Sequence, residues 1–155
     1  MIQFPERLTE DFIKRHLLKG DVLFWENYKF KNGSKKTSRF IILTECKNDS
    51  FLAIRATDNI EVYEKPSSLH REFLRLLANE EPLFPKSTVL DLNKIFVLNV
   101  EEMKRLFGGQ IKRPNRISDD TLNKLEKLVA NSKIIRKDWI GWILDSKKSE
   151  FSIEG

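Results

Sequence analysis

Apolar residues along the chain follow two rhythms. Asp21-Val22-Leu23-Phe24-Trp25 and Arg39-Phe40-Ile41-Ile42-Leu43-Thr44 are short, nearly unbroken apolar runs and predict strands, the first mostly buried. Lys47-Asn48-Asp49-Ser50 turns into Phe51-Leu52-Ala53-Ile54-Arg55-Ala56-Thr57, so the second and third runs should pair as a hairpin. Between Trp25 and Arg39 the chain is polar and basic around Asn32-Gly33-Ser34, which predicts a long loop or flared hairpin. Thr88-Val89-Leu90-Asp91-Leu92 and Ile95-Phe96-Val97-Leu98 predict a further strand pair or one long bent strand.

The second rhythm is helical. Thr9 is placed to cap a short helix with Glu10 and Asp11 in its first turn and Leu8 stapled onto Ile13; Gly20 follows as a stop. Asn99 caps a second, with Glu102 at the capping-box position and Gly108-Gly109 at the end. After Ile117-Ser118-Asp119-Asp120, Leu122, Leu125, Leu128 and Val129 form one apolar stripe. Ser67-Ser68 opens a helix carrying Leu69, Phe73, Leu76 and Leu77, an insertion that ends near Asn79-Glu80-Glu81-Pro82. The tail segment Trp139-Ile140-Gly141-Trp142-Ile143-Leu144 reads as a closing strand or an aromatic cover.

A chain of 155 residues, 40% apolar and poor in Gly and Pro, has material for one core and offers no linker between two. No apolar run reaches the roughly 20 residues of a membrane span, and the N-terminus lacks the order of a secretory signal. The expected location is the cytoplasm, with no membrane partner. Cys46 is the only cysteine, and His16 and His70 lie far apart, so neither a disulfide nor a paired-thiolate metal site is available. His16, His70, Trp139 and Trp142 are read as structural or surface groups. No metal and no cofactor are expected.

Charge sharpens this picture. Lys plus Arg outnumber Asp plus Glu by 28 to 23, and the excess is concentrated. Lys29, Lys31, Lys35, Lys36 and Arg39 crowd one segment while Glu61, Glu64, Glu72, Glu80 and Glu81 make the middle acidic. Tyr28 and Phe30 interleave with those lysines, the composition of a single-strand contact in which cations meet phosphates and rings meet bases. A solvated, merely soluble loop has the same composition. Lys112, Arg113 and Arg116 around Pro114 form a second basic cluster that would extend the same groove.

Taken in order, Gly20-Asp21-Val22-Leu23, the basic loop with Gly33-Ser34, Lys36 to Leu43, Ala56-Thr57, Thr88-Val89-Leu90 and the stripe helix after Arg116-Ile117-Ser118 resemble the MazF/PemK family of type II toxin-antitoxin systems. The resemblance spans most of residues 19 to 131. It implies an α+β chain: a small SH3-like β-barrel with an inserted helix over 66–85 and a C-terminal helix, within a single domain flanked by extensions at 1–18 and 132–155. It also implies a homodimer that holds single-stranded RNA in a basic groove, cuts it without metal, and is neutralised by a small antitoxin.

By position Arg39 matches the family's second-strand arginine and Thr57 its strand-closing hydroxyl, which makes them the candidate catalytic pair. In-line attack by a ribose 2′-hydroxyl needs proton transfer and positive charge beside the phosphate, and a guanidinium suits the latter. The candidate RNA contacts are Tyr28, Lys29, Phe30, Lys31, Lys35, Lys36, Arg55, Lys112, Arg113 and Arg116. Where the family has proline after that arginine stands Phe40, and its Asp-Gln-x-Arg pattern falls on Asn93-Lys94-Ile95-Phe96. Two other classes therefore stay open, a non-catalytic nucleic-acid-binding module on an SH3-like barrel and a protein-interaction adaptor.

Overall fold

The computed structural model describes residues 10–65, 71–106 and 110–149, with the backbone alone at 113 and 114. The expected cap at Thr9, the staple from Leu8, the helix start at Ser67-Ser68 with Leu69 and His70, and the Gly108-Gly109 stop lie outside the described residues. A first helix, α1 (Glu10–His16), carries acids at its start and bases at its end, as the macrodipole favours. Gly20 then turns the chain at φ 100, a left-handed conformation in which any Cβ is strained.

Strand β1 (Asp21–Lys29) runs past its apolar start into the basic segment, and β2 (Lys35–Ile42) returns beside it. The flared loop is thus a true hairpin. Phe30 N–H donates to Ser34 O at 2.9 Å, and Gly33, at φ 89, donates back to Phe30 O at 2.9 Å. Asn32 Oδ1 accepts from Ser34 N–H at 3.0 Å, the local bond that favours Asn in turns. Strand β3 (Ser50–Thr57) pairs with β2 as expected, with Ile41 opposite Ile54. A 3-10 turn, Ile60–Tyr63, follows.

The inserted helix is corrected where it is described. Phe73 to Leu76 form an edge strand, β4 (Phe73–Leu76), paired antiparallel with Thr88 to Asp91. Four residues of apolar sequence satisfy both periods. Here a waiting strand edge decides, and Leu76 is buried while Leu77 is exposed. Strand β5 (Thr88–Asn99) is one long strand rather than two, with a register shift against β3 between Ile54 and Ala56.

Asn99 caps α2 (Val100–Leu106) as expected: its Oδ1 accepts from Glu101 N–H at 2.9 Å and Glu102 N–H at 3.3 Å. The basic cluster after it is strand β6 (Ile111–Arg116), not foreseen because Pro114 argues against a strand interior. As an edge strand beside β1 it tolerates the missing donor, and its register shifts across that stretch. Helix α3 (Asp119–Ala130) starts at Ser118, whose side chain accepts from Thr121 N–H, and buries Leu122, Leu125 and Val129. The tail, expected as a strand or cover, is α4 (Lys137–Asp145). Its Trp142 indole donates to Glu45 O at 3.1 Å.

The six strands of the described chain hydrogen-bond in the order β4-β5-β3-β2-β1-β6, antiparallel throughout. With β4 and β6 as separate edges, the sheet is open, and this corrects the expectation of a closed barrel. The reason is visible in the apolar runs. Leu23, Phe40, Ile42, Phe51 and Ala53 pack on one face with Ile13 of α1 and Met103 of α2. Val22, Ile41, Leu52, Ile54 and Leu90 pack on the other with Leu122, Leu125 and Val129 of α3 and Ile143 of α4. A strand apolar at successive positions needs cover on both faces, and helices supply it.

Candidate nucleic-acid interface

The basic hairpin is fixed by rings. Asn27, at φ 53, and a register shift between Trp25 and Tyr28 turn Tyr28 edge-on to Trp25 (5.0 Å) and Phe40 (4.8 Å). Phe30 then packs edge-on to Tyr28 at 5.1 Å and to Phe96 of β5 at 6.2 Å. The hairpin tip is thereby joined to β5, and Lys29 and Lys31 border a long hollow of about 680 Å³ that also touches Lys94, Val97 and Trp139.

A tighter hollow of about 270 Å³ lies beside it. Its rings are Phe30, Phe96 and Tyr63, and its cations are Lys36, Arg55 and Lys94. The Arg55 guanidinium sits 5.1 Å over the Phe30 ring, and its buried Nε has no hydrogen-bond partner. Asp91 is the one acid in the wall and is only 5% exposed. Its Oδ2 accepts from the Tyr63 hydroxyl at 2.6 Å, and its Oδ1 accepts from Asn93 N and Nδ2, each at 2.8 Å. Burial, reinforced by Asp91, pushes Tyr63 up to about 12, so its phenol keeps its proton and acts as a donor.

A second hollow, about 250 Å³, opens at the end of β3. Phe24, Thr37, Arg39 and Thr88 line it, and Arg55 and Thr57 belong to both hollows. Thr57 Oγ1 accepts from Asn59 N–H at 3.2 Å, which leaves its proton to donate. Arg39 stands opposite Phe24 and Ala56 in the ladder, with its guanidinium 5.8 Å over the Phe84 ring. By strand alternation it shares the face of Ile41, whereas Lys36 shares the face of Phe40. Arg39 and Thr57 thus border one hollow, but the Arg39 side chain stands on the other face of the sheet from Arg55 and the hairpin lysines.

The remaining candidates are dispersed. Lys35 borders none of these three hollows. Lys112 pairs with Glu26 at 3.2 Å, and Arg116 pairs with Asp119 and donates to Ile117 O at 3.3 Å. Both stand on β6, the edge strand beyond β1, and border none of the three hollows. The side chain of Arg113 lies outside the described residues.

Tyr63, Asp91, Lys94 and Phe96 were not among the candidate contacts read from the sequence, where Lys94 and Phe96 figured only as departures from the family's Asp-Gln-x-Arg pattern. Asp91 carried a signal of its own, a carboxylate set inside the apolar run Val89-Leu90-Asp91-Leu92. Among the described residues no three His, Cys, Asp or Glu side chains are grouped to hold a metal ion, and no helix is long and apolar enough to cross a membrane. Compared with protein-family models and with curated proteins, the chain matches none.

Proposed function

We propose that this protein binds single-stranded RNA across the β1–β2 hairpin and the two hollows beside it. One observation carries the reading: three cations, Lys36, Arg55 and Lys94, are set among three rings, Phe30, Tyr63 and Phe96, in a single concavity. Cations at phosphate height beside rings that accept a base face are what a single strand requires, and a duplex with its bases stacked inside offers no such face. The carboxylate of Asp91 is already engaged by Tyr63 and Asn93, and the buried Nε of Arg55 has no hydrogen-bond partner, so a phosphate is the group the cations would meet.

Anisotropy of a short labelled RNA measures this directly. Arg55→Ala should weaken binding about tenfold or more, since it removes both a phosphate contact and the cap on Phe30. The Lys36→Ala/Lys94→Ala pair should flatten the salt dependence by about 0.7 in log-log slope per lysine. Binding unchanged in all of these variants, with their melting temperatures intact, removes the reading.

A second, sharper reading is that of a MazF/PemK-like toxin component, in which the open sheet is the counterpart of the family's barrel. It is favoured by the placement of Arg39 and Thr57 in one hollow with Arg55. In this reading the Arg39 guanidinium stabilises charge on the phosphate while the Thr57 hydroxyl, which borders the same hollow, donates to a non-bridging oxygen. A homodimer and an acidic antitoxin that covers the hairpin belong to this reading. Incubated with long RNA and a chelator, the protein should leave 2′,3′-cyclic phosphate ends, and Arg39→Ala should abolish them while retaining binding. Intact RNA at high protein concentration leaves the binding function alone.

A further inference from the structure

Arg55 and Asp91 carry opposite charges on the same face of the sheet. In the β3–β5 ladder Ala56 stands opposite Leu90 and Thr57 opposite Val89, so strand alternation sets Asp91 next to Arg55, where the register begins to shift. Phe96, opposite Ala53, adds its ring to that face. Both charged groups line the hollow of about 270 Å³, together with Lys36 and Lys94. Among the described residues no ion pair joins Arg55 to Asp91.

Each is held by partners of its own instead. Asp91 Oδ1 accepts from Asn93 N and Nδ2 and its Oδ2 from the Tyr63 hydroxyl, which fixes the carboxylate and leaves Oδ2 a second lone pair. The Arg55 guanidinium lies over the Phe30 ring, and its buried Nε lacks an acceptor. Neighbouring opposite charges that stay apart in one concavity suit a ligand that meets both, with an anion for the guanidinium and a hydrogen-bond donor for the carboxylate. Lys36 and Lys94 draw the anion to the cations and away from Asp91.

A ribonucleotide carries such a pair on adjacent carbons of one ring, the 3′-phosphate and the 2′-hydroxyl. The amines of its base lie farther from the phosphate, on the side that Phe30 and Phe96 would receive. We propose that Asp91 makes the site selective for ribose, accepting a hydrogen bond from the 2′-hydroxyl of the nucleotide whose 3′-phosphate rests on Arg55. The inference rests on the RNA-binding reading and adds a discrimination that cations and rings alone do not supply, since DNA offers them the same phosphates and base faces.

The test is anisotropy of the full chain with one short labelled strand made as RNA, as DNA and as 2′-fluoro RNA. Fluorine keeps the ribose-like pucker but cannot donate, so it separates the hydroxyl contact from the shape of the strand. RNA should bind about tenfold or more tightly than either of the others, the worth of a hydrogen bond to a charged group. Asp91→Ala should bring RNA down to the DNA level and leave DNA binding no weaker. Should that variant not fold, the three strands on the unaltered protein decide alone. Equal binding of RNA and either of the other strands, or a preference that survives Asp91→Ala, overturns the inference even where Arg55→Ala still weakens RNA binding. Failure of all three strands to bind overturns the binding reading and this inference with it.

Discussion

Replacing Asp21 with Asn should raise the melting temperature at about pH 8 and lose that advantage as the pH falls toward about 4. Asp21 opens β1, is fully buried, and has one carboxylate oxygen, Oδ1, without a hydrogen-bond partner. Burial pushes its pKa up to about 7, against the smaller opposing effects of the Leu18 N–H, the Ser149 hydroxyl and Arg116. In the unfolded chain the group titrates near 3.8. Between those two values the native state takes up a proton that the unfolded state does not, so stability is greatest below the lower value and declines as pH rises through the upper one.

The shift corresponds to a penalty on the order of 4 kcal/mol above neutrality, since each pKa unit is worth about 1.4 kcal/mol. An amide removes the charge while its oxygen still accepts from Leu18 N–H, bonded at 2.8 Å in the native protein. Thermal melts of both proteins across this range decide the matter. Parallel curves from acid to alkaline pH would mean that Asp21 is solvated in the native state.

Glu81→Ala should have the opposite sign, with a loss of about 3 kcal/mol or more, or a fall in melting temperature of about 10 °C. Glu81 is 1% exposed and lies in the turn between β4 and β5. Its Oε1 accepts from Ser118 N–H at 2.6 Å and its Oε2 from Leu83 N–H at 3.1 Å. It thus ties the start of α3 to the β4–β5 turn, where Phe84 is also buried. Truncation strands two backbone donors in the interior, and an uncompensated buried donor costs more than the bond itself returns. Denaturant melts read this loss. A variant as stable as the parent would show that water replaces the carboxylate and that the turn does not anchor the helix.

These two carboxylates illustrate what local reading misses. Glu81 counts by sequence among the acids of the middle, yet it is buried because Ser118, 37 residues away, offers it a backbone N–H. Asp91 likewise looks like an interruption in a strand until Tyr63 and Asn93 close on it. Lys36, Phe30 and Arg55 were legible as nucleic-acid contacts from charge and ring content. Their companions Lys94 and Phe96 were not, because only the pairing of β3 with β5 carries them to the hairpin. Lys112 and Arg116, similar in composition, were set apart by the place of β6 at the opposite edge.

By itself the amino-acid sequence determined the strands with unbroken apolar runs, the hairpin between β2 and β3, the Asn99 and Ser118 caps and the stripe of α3. Each rests on contacts within a few residues. Tertiary structure decided β4, β6 and α4, since Phe73 to Leu76, the stretch around Pro114 and the Trp139 to Leu144 segment take whichever form their neighbours leave open to them. It also decided that the sheet stays open with helices on both faces, and which cations share a wall. Those outcomes depend on pairings between distant segments, whose energies no local window of sequence contains.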